Sequence, residues 1–182
     1  ESELQQLLQE TELRSLKNQL NPHFLYNSLN AISSLVGSQP EQARQAIIRL
    51  SDFLRLALRQ DPLGMSSLKE ELENMQRYLA IEEARFGEKI PVSLNLDEDV
   101  LNLPLPALIL QPLVENALKH GEKDPELKLV AGNHKHRLHL CLSNAYDPNW
   151  QHFSSEGLGL QNIRDRLRLL YGNSRLMQIK TT

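Results

Sequence analysis

The feature that most limits what this chain can fold into is a pair of leucine-rich helical patterns separated by one turn. Apolar residues recur at roughly helical spacing within residues 1–36, at Leu4, Leu7, Leu8, Leu13, Leu16 and Leu20. The stretch "GSQP" at 37–40 is a turn signal. A second pattern follows within residues 41–60, at Ala43, Ile47, Leu50, Phe53, Leu54, Ala57 and Leu58. Two long helices around a short turn predict an antiparallel hairpin.

A hairpin of this kind carries an apolar stripe that its own two helices do not cover. A second copy of the chain can cover the stripe by forming a four-helix dimer. The alternative is that the stripe packs against the remainder of the same chain. The pattern favours the dimer, so we expect a homodimer.

The pattern changes after residue 60, where "DPLGMS" at 61–66 interrupts the helical periodicity. "SLKEELENMQRYLAIEEARFG" then predicts a third helix, with Ser66 or Ser67 as its N-cap and Glu70 near its first turn. The sequence after this helix predicts a strand at "IPVSLNL" and then a helix at "PLPALILQPLVENALKHG", which Gly121 closes. Two strands around the turn "GNHK" follow. The chain ends in a predicted helix at "LGLQNIRDRLRLLYG" and the start of a strand. The predicted fold class is therefore α followed by α+β, with a helical hairpin at residues 1–62 and a mixed domain at 63–182.

Composition and charge exclude several classes of function. The 182 residues carry a formal net charge of −3, which gives no electrostatic basis for binding nucleic acid. No run of about 18 apolar residues is present, so no membrane-spanning helix is predicted. Cys141 is the single cysteine, which makes an internal disulfide impossible. The chain begins inside a helical pattern without a Met, and we expect it to be a piece of a longer protein.

A proline followed by a histidine lies inside the first helical pattern, in "NQLNPHFLYNSLNAI" at 18–32. Pro22 lacks an amide N–H and crowds the carbonyl four residues earlier. One interpretation is that Asn21 caps a new helix starting at Pro22, and that His23 is an ordinary solvated residue. The other is that one long helix is kinked here and presents His23 to a reactive partner. Asn27 lies one turn further along the same face, where its amide can orient a phosphate or a water beside a nucleophilic imidazole.

A second group of polar residues interrupts the apolar helix "LILQPLVENALKHG", which carries Glu115, Asn116, Lys119 and His120. Asn116 lies three residues before Lys119 and four before His120, so the three can share one helix face. An amide oxygen suits magnesium, a hard ion that also takes phosphate oxygens. Lys119 and His120 can meet phosphate as cations or donors. A solvated stripe on an amphipathic helix is the alternative interpretation.

Two glycines, Gly157 and Gly159, precede the last predicted helix in "SSEGLGLQNIRDRL". Bare backbone can approach a phosphate closely, and a helix N-terminus favours an anion. A flexible loop before a helix would give the same pattern. Each of these three features alone is a weak indication of function. Together, His23, the polar residues of the helix "LILQPLVENALKHG" and the two glycines indicate a phosphate-handling protein more specifically than any one of them.

Taken together, these segments resemble the LytS-type sensor histidine kinases. "LKNQLNPHFLYNSLNAI" looks like the phosphoacceptor segment of that family, and "SLKEELENMQRYLAIEEARFG" is similar to its connecting helix. "LPALILQPLVENALKHG" looks like its N-box and "GLGLQNIRDRLRLLYG" like its second glycine box. The resemblance covers nearly the whole chain. It implies a dimerisation and phosphotransfer hairpin, followed by a Bergerat-type α/β sandwich that binds ATP and Mg²⁺.

The resemblance also implies roles for individual residues. His23 becomes the phosphoacceptor, Asn116 the magnesium ligand, and Gly157 and Gly159 the loop that closes over the phosphates. The first glycine box departs from the family pattern, because "SNAYDPNW" follows the strand where an aspartate and a glycine are usual. Asn144 takes the position of the aspartate that accepts a hydrogen bond from adenine. Replacing Asn144 by Asp is therefore expected to tighten ATP binding. The departure is similar to the AlgZ/FimS-like branch of the family.

The implied function is that of the cytoplasmic part of an inner-membrane bacterial sensor. It would phosphorylate its own histidine from ATP and pass the group to a LytTR-type response regulator, with Glu115 or solvent taking the proton. The membrane sensor and the regulator lie outside this chain, which ends at "MQIKTT", short of the final strands of the family. Two alternatives remain: a signalling scaffold that does not turn over ATP, and a phosphatase of the regulator in which Asn27 orients a water.

Overall fold

The computed structural model describes residues 22–59, 64–120, 126–145, 158–173 and 175–180. The described helices are α1 (Pro22–Val36), α2 (Pro40–Arg59), α3 (Leu68–Phe86), α4 (Leu110–His120) and α5 (Leu158–Tyr171). The described strands are β1 (Met65–Ser67), β2 (Val92–Leu96), β3 (Pro104–Pro106), β4 (Leu127–His134) and β5 (Arg137–Asn144). The predicted order, helices first and then a mixture of helix and sheet, is confirmed.

Some predictions concern residues outside the described part of the chain. They include the stripe from Leu4 to Leu20, the proposed cap Asn21, the helix-closing Gly121 and the loop residue Gly157. The choice between a new helix and a kink at Pro22 therefore stays open.

The contacts divide the chain into two units. The first takes the described part of Glu1–Pro62 together with Arg77–Glu88, and the second takes the described parts of Leu63–Gln76 and Lys89–Thr182. Helix α3 therefore contributes its first half to the second unit and its second half to the first. None of the described helices has the length and apolar character needed to span a membrane.

The first unit contains the helical hairpin, with α1 and α2 joined where the sequence predicts the turn. The amide of Gln39 donates to the carbonyl of Leu35 at 2.7 Å, and the carbonyl of Gln39 accepts from the amide of Ala43 at 3.0 Å. Pro40 is the first residue of α2, a position where its missing N–H is not needed. The turn residues thus end one helix and start the next.

An aromatic cluster forms the core of the first unit. Phe24 lies against Phe53 with ring centroids 5.3 Å apart and against Tyr78 with centroids 5.0 Å apart. All three side chains are buried, and Ala43, Ala46, Leu50 and Ala57 line the buried side of α2. Most of the α2 stripe that was expected to face a second copy is therefore covered within the first unit, as in the alternative interpretation. Aromatic pairs at such distances contribute about 0.5–1.5 kcal/mol beyond the burial of their surface. Phe24 follows His23 directly, so this core fixes the backbone of α1 next to the histidine.

The second unit contains two sheets and the helices around them. Strands β1 and β3 form an antiparallel pair, while β4 lies between β2, which runs parallel to it, and β5, which runs antiparallel. Along β4, Leu127, Leu129 and Ala131 are buried and alternate with exposed residues. This alternation is typical of a sheet with one face against the core and one face in solvent.

Helix α3 begins with the capping box that its sequence predicts. The amide of Ser67 donates to the Glu70 carboxylate at 2.8 Å, and the Ser67 hydroxyl accepts from the amide of Glu70 at 3.2 Å. The hydrogen bonds that Ser67 donates through its amide and hydroxyl hold the pKa of the Glu70 carboxyl below its usual range. A lowered pKa means that this stabilisation is present at neutral pH and is lost as the pH falls through the lowered value.

One predicted helix start and one predicted strand are wrong. The helix predicted from Pro104 begins only at Leu110, and residues 104–106 form β3 instead. Proline disfavours the helical conformation in the residue before it, so Pro104 and Pro106 keep this stretch extended. The strand predicted after the last helix is also missing from the described residues 175–180.

The turn between β4 and β5 lies further along than the predicted "GNHK". His134 pairs with Arg137, which leaves Lys135 and His136 as a two-residue loop. Their φ angles are 52° and 61°, so both residues adopt the left-handed conformation of a type I′ turn. This conformation costs residues other than Gly and Asn about 1 kcal/mol or more, and no glycine stands at either turn position to mark it.

Replacing His136 by Gly should therefore stabilise the chain by about 1 kcal/mol, because glycine adopts a positive φ without steric cost. The change is measured as an increase in the urea midpoint. Lys128→Gly is the matched control on the exposed side of β4, and it should lower the midpoint, since glycine weakens a strand interior. Equal shifts in both variants would contradict the turn assignment.

Candidate functional site

The start of α4 is held by a buried carboxylate from α3. Glu71 is 1% exposed, and its two oxygens accept hydrogen bonds from the amides of Leu108 at 2.7 Å, Ile109 at 2.8 Å and Leu110 at 3.1 Å. The Ser66 hydroxyl donates a fourth bond at 2.9 Å. The first amides of a helix have no partner within the helix, and a negative charge is favoured at that end. Glu71 therefore fixes where α4 begins and in which direction it runs.

Glu71 is not among the residues that the sequence predicts to be functional. The three amides that donate to it lie 37 to 39 residues away in the chain, so no local spacing indicates them. Leu108, whose amide donates to this carboxylate, also has a left-handed φ of 57°, which is unfavourable for a leucine. The only available signal was an additional acidic residue next to the capping residue Glu70.

Glu71→Ala should lower the free energy of unfolding by roughly 3 kcal/mol or more, because several backbone amides would lose their acceptor in a buried place. Urea unfolding measures the loss. Glu73→Ala, an exposed carboxylate on the same helix, is the matched control and should have a much smaller effect. If the alanine variant does not fold, Glu71→Gln tests the same point, since it keeps the shape but replaces one acceptor by a donor. Similar losses at positions 71 and 73 would contradict the role of Glu71.

Helix α4 carries the polar residues that the sequence predicts for a site. Glu115, Asn116 and Lys119 are all partly exposed, and Lys119 Nζ lies 3.7 Å from Glu115 Oε1. This i,i+4 ion pair couples two residues for which the sequence predicts separate tasks, since Glu115 is expected to take a proton and Lys119 to meet phosphate. His120 is the last residue of the helix.

The donor set on α4 fits a magnesium–phosphate ligand in chemical type. Asn116 supplies a neutral oxygen of the kind Mg²⁺ accepts, and Lys119 supplies a positive charge one turn further on. Among the described residues, no group of three His, Cys, Asp or Glu side chains is placed to hold a metal ion by itself. A magnesium ion here would therefore keep most of its coordination to water and phosphate oxygens, which is usual for this ion.

Asn144 ends β5 and ties this strand to α4. Its Nδ2 donates to the carbonyl of Ala117 at 3.1 Å and to the carbonyl of Ala145 at 2.8 Å. Both amide hydrogens are thus used within the protein, and the amide oxygen is left as the group that can accept from a ligand. The structure thus joins Asn144 to the backbone of α4 at Ala117, and the shared nucleotide site that the sequence predicts for Asn144 and Asn116 stays a prediction.

These bonds reverse the expectation that Asn144→Asp would tighten ATP binding. A carboxylate cannot donate to two carbonyl oxygens, and it would face them as a third acceptor. We expect Asn144→Asp to lower the free energy of unfolding by roughly 1–2 kcal/mol and not to improve nucleotide binding. Thermal unfolding measures the first effect. Asn95→Asp adds the same charge on the exposed part of β2 and serves as the control. A stable Asn144→Asp variant with tighter ATP binding would contradict this account.

Gly159 lies inside the first turn of α5 rather than before the helix. A Cβ at this position would lie 3.4 Å from the Cβ of Pro112 on α4, which is a tight contact. The glycine thus lets the start of α5 approach α4 closely. Arg166, about two turns further along α5, donates to the carbonyl of Ala107 just before α4. Helix α5 is therefore attached to α4 at the end that Glu71 also holds.

The proposed phosphoacceptor belongs to the first unit. His23 is the second residue of α1, and Asn27 lies one turn further along and is partly exposed. Ser28 is buried, and its hydroxyl donates to the carbonyl of Phe24 at 2.8 Å, so the first turns of α1 carry a side-chain bond as well as the aromatic core. The helix that the sequence predicts around His23 is present.

Comparisons with known proteins support the same class. A family profile described as histidine kinase matches residues 11–90. The sensor histidine kinase YpdA of Escherichia coli (strain K12) is 37% identical over 93% of this chain and 32% of that protein. The sensor protein LytS of Staphylococcus haemolyticus (strain JCSC1435) is 33% identical over 97% of this chain and 33% of that protein. The sensor histidine kinase/phosphatase LytS of Staphylococcus aureus (strain MRSA252) is 30% identical over 97% of this chain and 33% of that protein.

The matched profile and the polar residues of α1 and α4 define the class: the chain is related to the sensor histidine kinases. Within that class it is of the LytS type, as its motifs indicate. The chain spans about a third of the length of the curated relatives it matches.

Proposed function

We propose that this chain is the cytoplasmic catalytic part of a two-component sensor histidine kinase. The second unit binds ATP, and the γ-phosphoryl group is transferred to a ring nitrogen of His23. The observation that carries the proposal is the histidine kinase profile over residues 11–90, which contains α1 and its histidine. The polar residues on α4 support it, because they have the chemistry that a magnesium nucleotide requires.

The proposed nucleotide site extends from α4 to the loop before α5. Asn116 ligates Mg²⁺, and Lys119 and His120 contact phosphate. The amide oxygen of Asn144 accepts from the adenine amino group, since both hydrogens of its amide are donated to carbonyls. Gly157 allows the loop before α5 to approach the phosphates, whereas Gly159 lets the start of α5 pack closely on Pro112. This arrangement corresponds to a Bergerat-type sandwich, in which Mg²⁺ neutralises charge on the phosphates.

Transfer requires one bond to form and one to break. A ring nitrogen of His23 bonds to the γ-phosphorus while the bond from that phosphorus to the bridging oxygen breaks and ADP leaves. The attacking nitrogen is the unprotonated one, and the proton on the other ring nitrogen passes to Glu115 or to solvent. Positioning and charge neutralisation supply most of the catalysis of such a reaction.

Incubation with γ-labelled ATP and magnesium tests the proposal. The chain should acquire an acid-labile, base-stable label, as a phosphoramidate does. His23→Gln should abolish the label but leave nucleotide binding unchanged, because only the acceptor nitrogen is lost. Asn116→Ala should abolish both the label and magnesium-dependent ATP binding, measured by titration calorimetry. Label that persists in His23→Gln would refute the acceptor, and no ATP binding to the parent chain would favour a scaffold that does not turn over ATP.

We further propose that the active form is a homodimer that pairs through the hairpin. Tyr26, Leu29 and Val36 on α1 recur at helical spacing and are 70%, 55% and 57% exposed, and Ile47 and Ile48 on α2 are 49% and 44% exposed. Apolar surface of this kind on a helical hairpin is suited to a second copy.

Light scattering over a concentration series should give about twice the chain mass of 20.8 kDa. Leu29→Glu should shift the chain towards the monomer, because a charge would be buried in the interface. Arg44→Glu, at an exposed charged position of α2, is the control and should leave the dimer unchanged. A monomer at every concentration would contradict the proposal.

The proposed partner is a response regulator, of the LytTR type by resemblance, which receives the phosphoryl group from His23. One relative is described as both kinase and phosphatase, and this favours a second activity in which Asn27 orients a water against the phosphorylated regulator. The AlgZ/FimS-like branch stays a prediction.

A further inference from the structure

The tip of the β4–β5 hairpin carries two histidines side by side. The ring centroids of His134 and His139 are 5.8 Å apart, and the ring planes are inclined by 80°. The register pairs Gly132 with His139, and His134 lies two residues after Gly132, so both imidazoles stand on the same face of the hairpin. Both side chains are exposed to solvent.

A carboxylate lies over Gly132, the residue that pairs with His139, on the same face of the hairpin. A Cβ at Gly132 would be only 2.9 Å from Asp97 Oδ2, so the carboxylate of Asp97 occupies the space that a side chain at Gly132 would fill. The amide of Asn133 donates to the same oxygen at 3.2 Å and holds it there. Lys135 and Arg137 bring positive charge to the tip, and Asp97 offsets part of it. A cation can therefore approach the imidazoles at lower electrostatic cost.

The turn limits the freedom of the pair. Lys135 and His136 form a two-residue type I′ turn, whose twist matches that of the two strands. A loop this short leaves little conformational freedom between the strands, so the backbone positions of His134 and His139 are set before any ligand binds. Only the exposed rings have to rotate to direct one nitrogen each at a shared ion.

We propose that His134 and His139 form a binding site for a divalent transition-metal ion of the Zn²⁺, Ni²⁺ or Cu²⁺ kind. Neutral imidazole nitrogen is a preferred ligand of these ions, whereas Mg²⁺ and Ca²⁺ prefer oxygen. With metal–nitrogen bonds of about 2.1 Å, two rings at this separation can share one ion. No third His, Cys, Asp or Glu in the described residues completes a metal-binding group, so water or another molecule fills the other positions.

This site is separate from the proposed nucleotide site. His139 lies five residues before Asn144 on β5, which corresponds to about 17 Å along the strand. The proposal does not depend on kinase activity, and metal binding by the hairpin is the property that tests it.

Zn²⁺ titration of the full chain, free of any affinity tag and stripped of metal, tests the site. We expect the histidine ring resonances of His134 and His139 to shift on addition of Zn²⁺. We also expect the melting temperature to rise by about 3–6 °C at a Zn²⁺ concentration ten times the dissociation constant. Mg²⁺ at the same concentration should do neither.

Single variants decide which histidines bind. His134→Gln and His139→Gln should each weaken Zn²⁺ binding by at least about tenfold, because one of two imidazole ligands is lost. His136→Gln, at the exposed turn between them, is the matched control and should bind as the parent does. All three positions are exposed, so the variants should fold. Zn²⁺ binding that is unchanged in His134→Gln and His139→Gln, or no binding to the parent, would overturn the proposal.

Discussion

The second unit depends on a single buried carboxylate that collects several hydrogen bonds. Glu71 accepts from the amides before and at the start of α4 and from the hydroxyl of Ser66 on β1. Burying a carboxylate is unfavourable unless its oxygens are satisfied, and here the bonds satisfy them. The same bonds supply the amides of a helix start with an acceptor. Glu71 therefore sets the position of α4, and the positions of all the polar side chains on α4 depend on it.

The two units are stabilised by different kinds of interaction. In the first unit the core is apolar and aromatic, with Phe24, Phe53 and Tyr78 at its centre. Such packing tolerates small adjustments, because it depends on surface and shape more than on direction. In the second unit Glu71 and Asn144 hold both ends of α4 through directional bonds to backbone groups. Directional bonds suit a helix whose side chains have to meet a ligand in one geometry.

Local sequence patterns predict much of this fold, but they do not reveal contacts between residues that are far apart in the chain. The hairpin turn at Pro40 and the capping box of Ser67 and Glu70 follow from residue types a few positions apart, and both are present. The short strands β1 and β3 were missed because three residues show no alternation. The two-residue turn was misplaced because neither of its residues is a glycine. The polar residues of α4 can be named from the sequence as a candidate site, but the role of Glu71 depends on partners far along the chain.

The bonds of Glu71 also change how α4 can open. A helix usually frays from its ends, where amides or carbonyls lack partners, and its middle opens last. In α4 the first turn is tied to a buried group of α3, and the carbonyl of Ala117 near the other end is tied to Asn144. Neither end can then unwind without breaking a contact to a different element. Local opening of α4 becomes coupled to the loosening of α3 and β5, so the helix behaves as part of one cooperative unit.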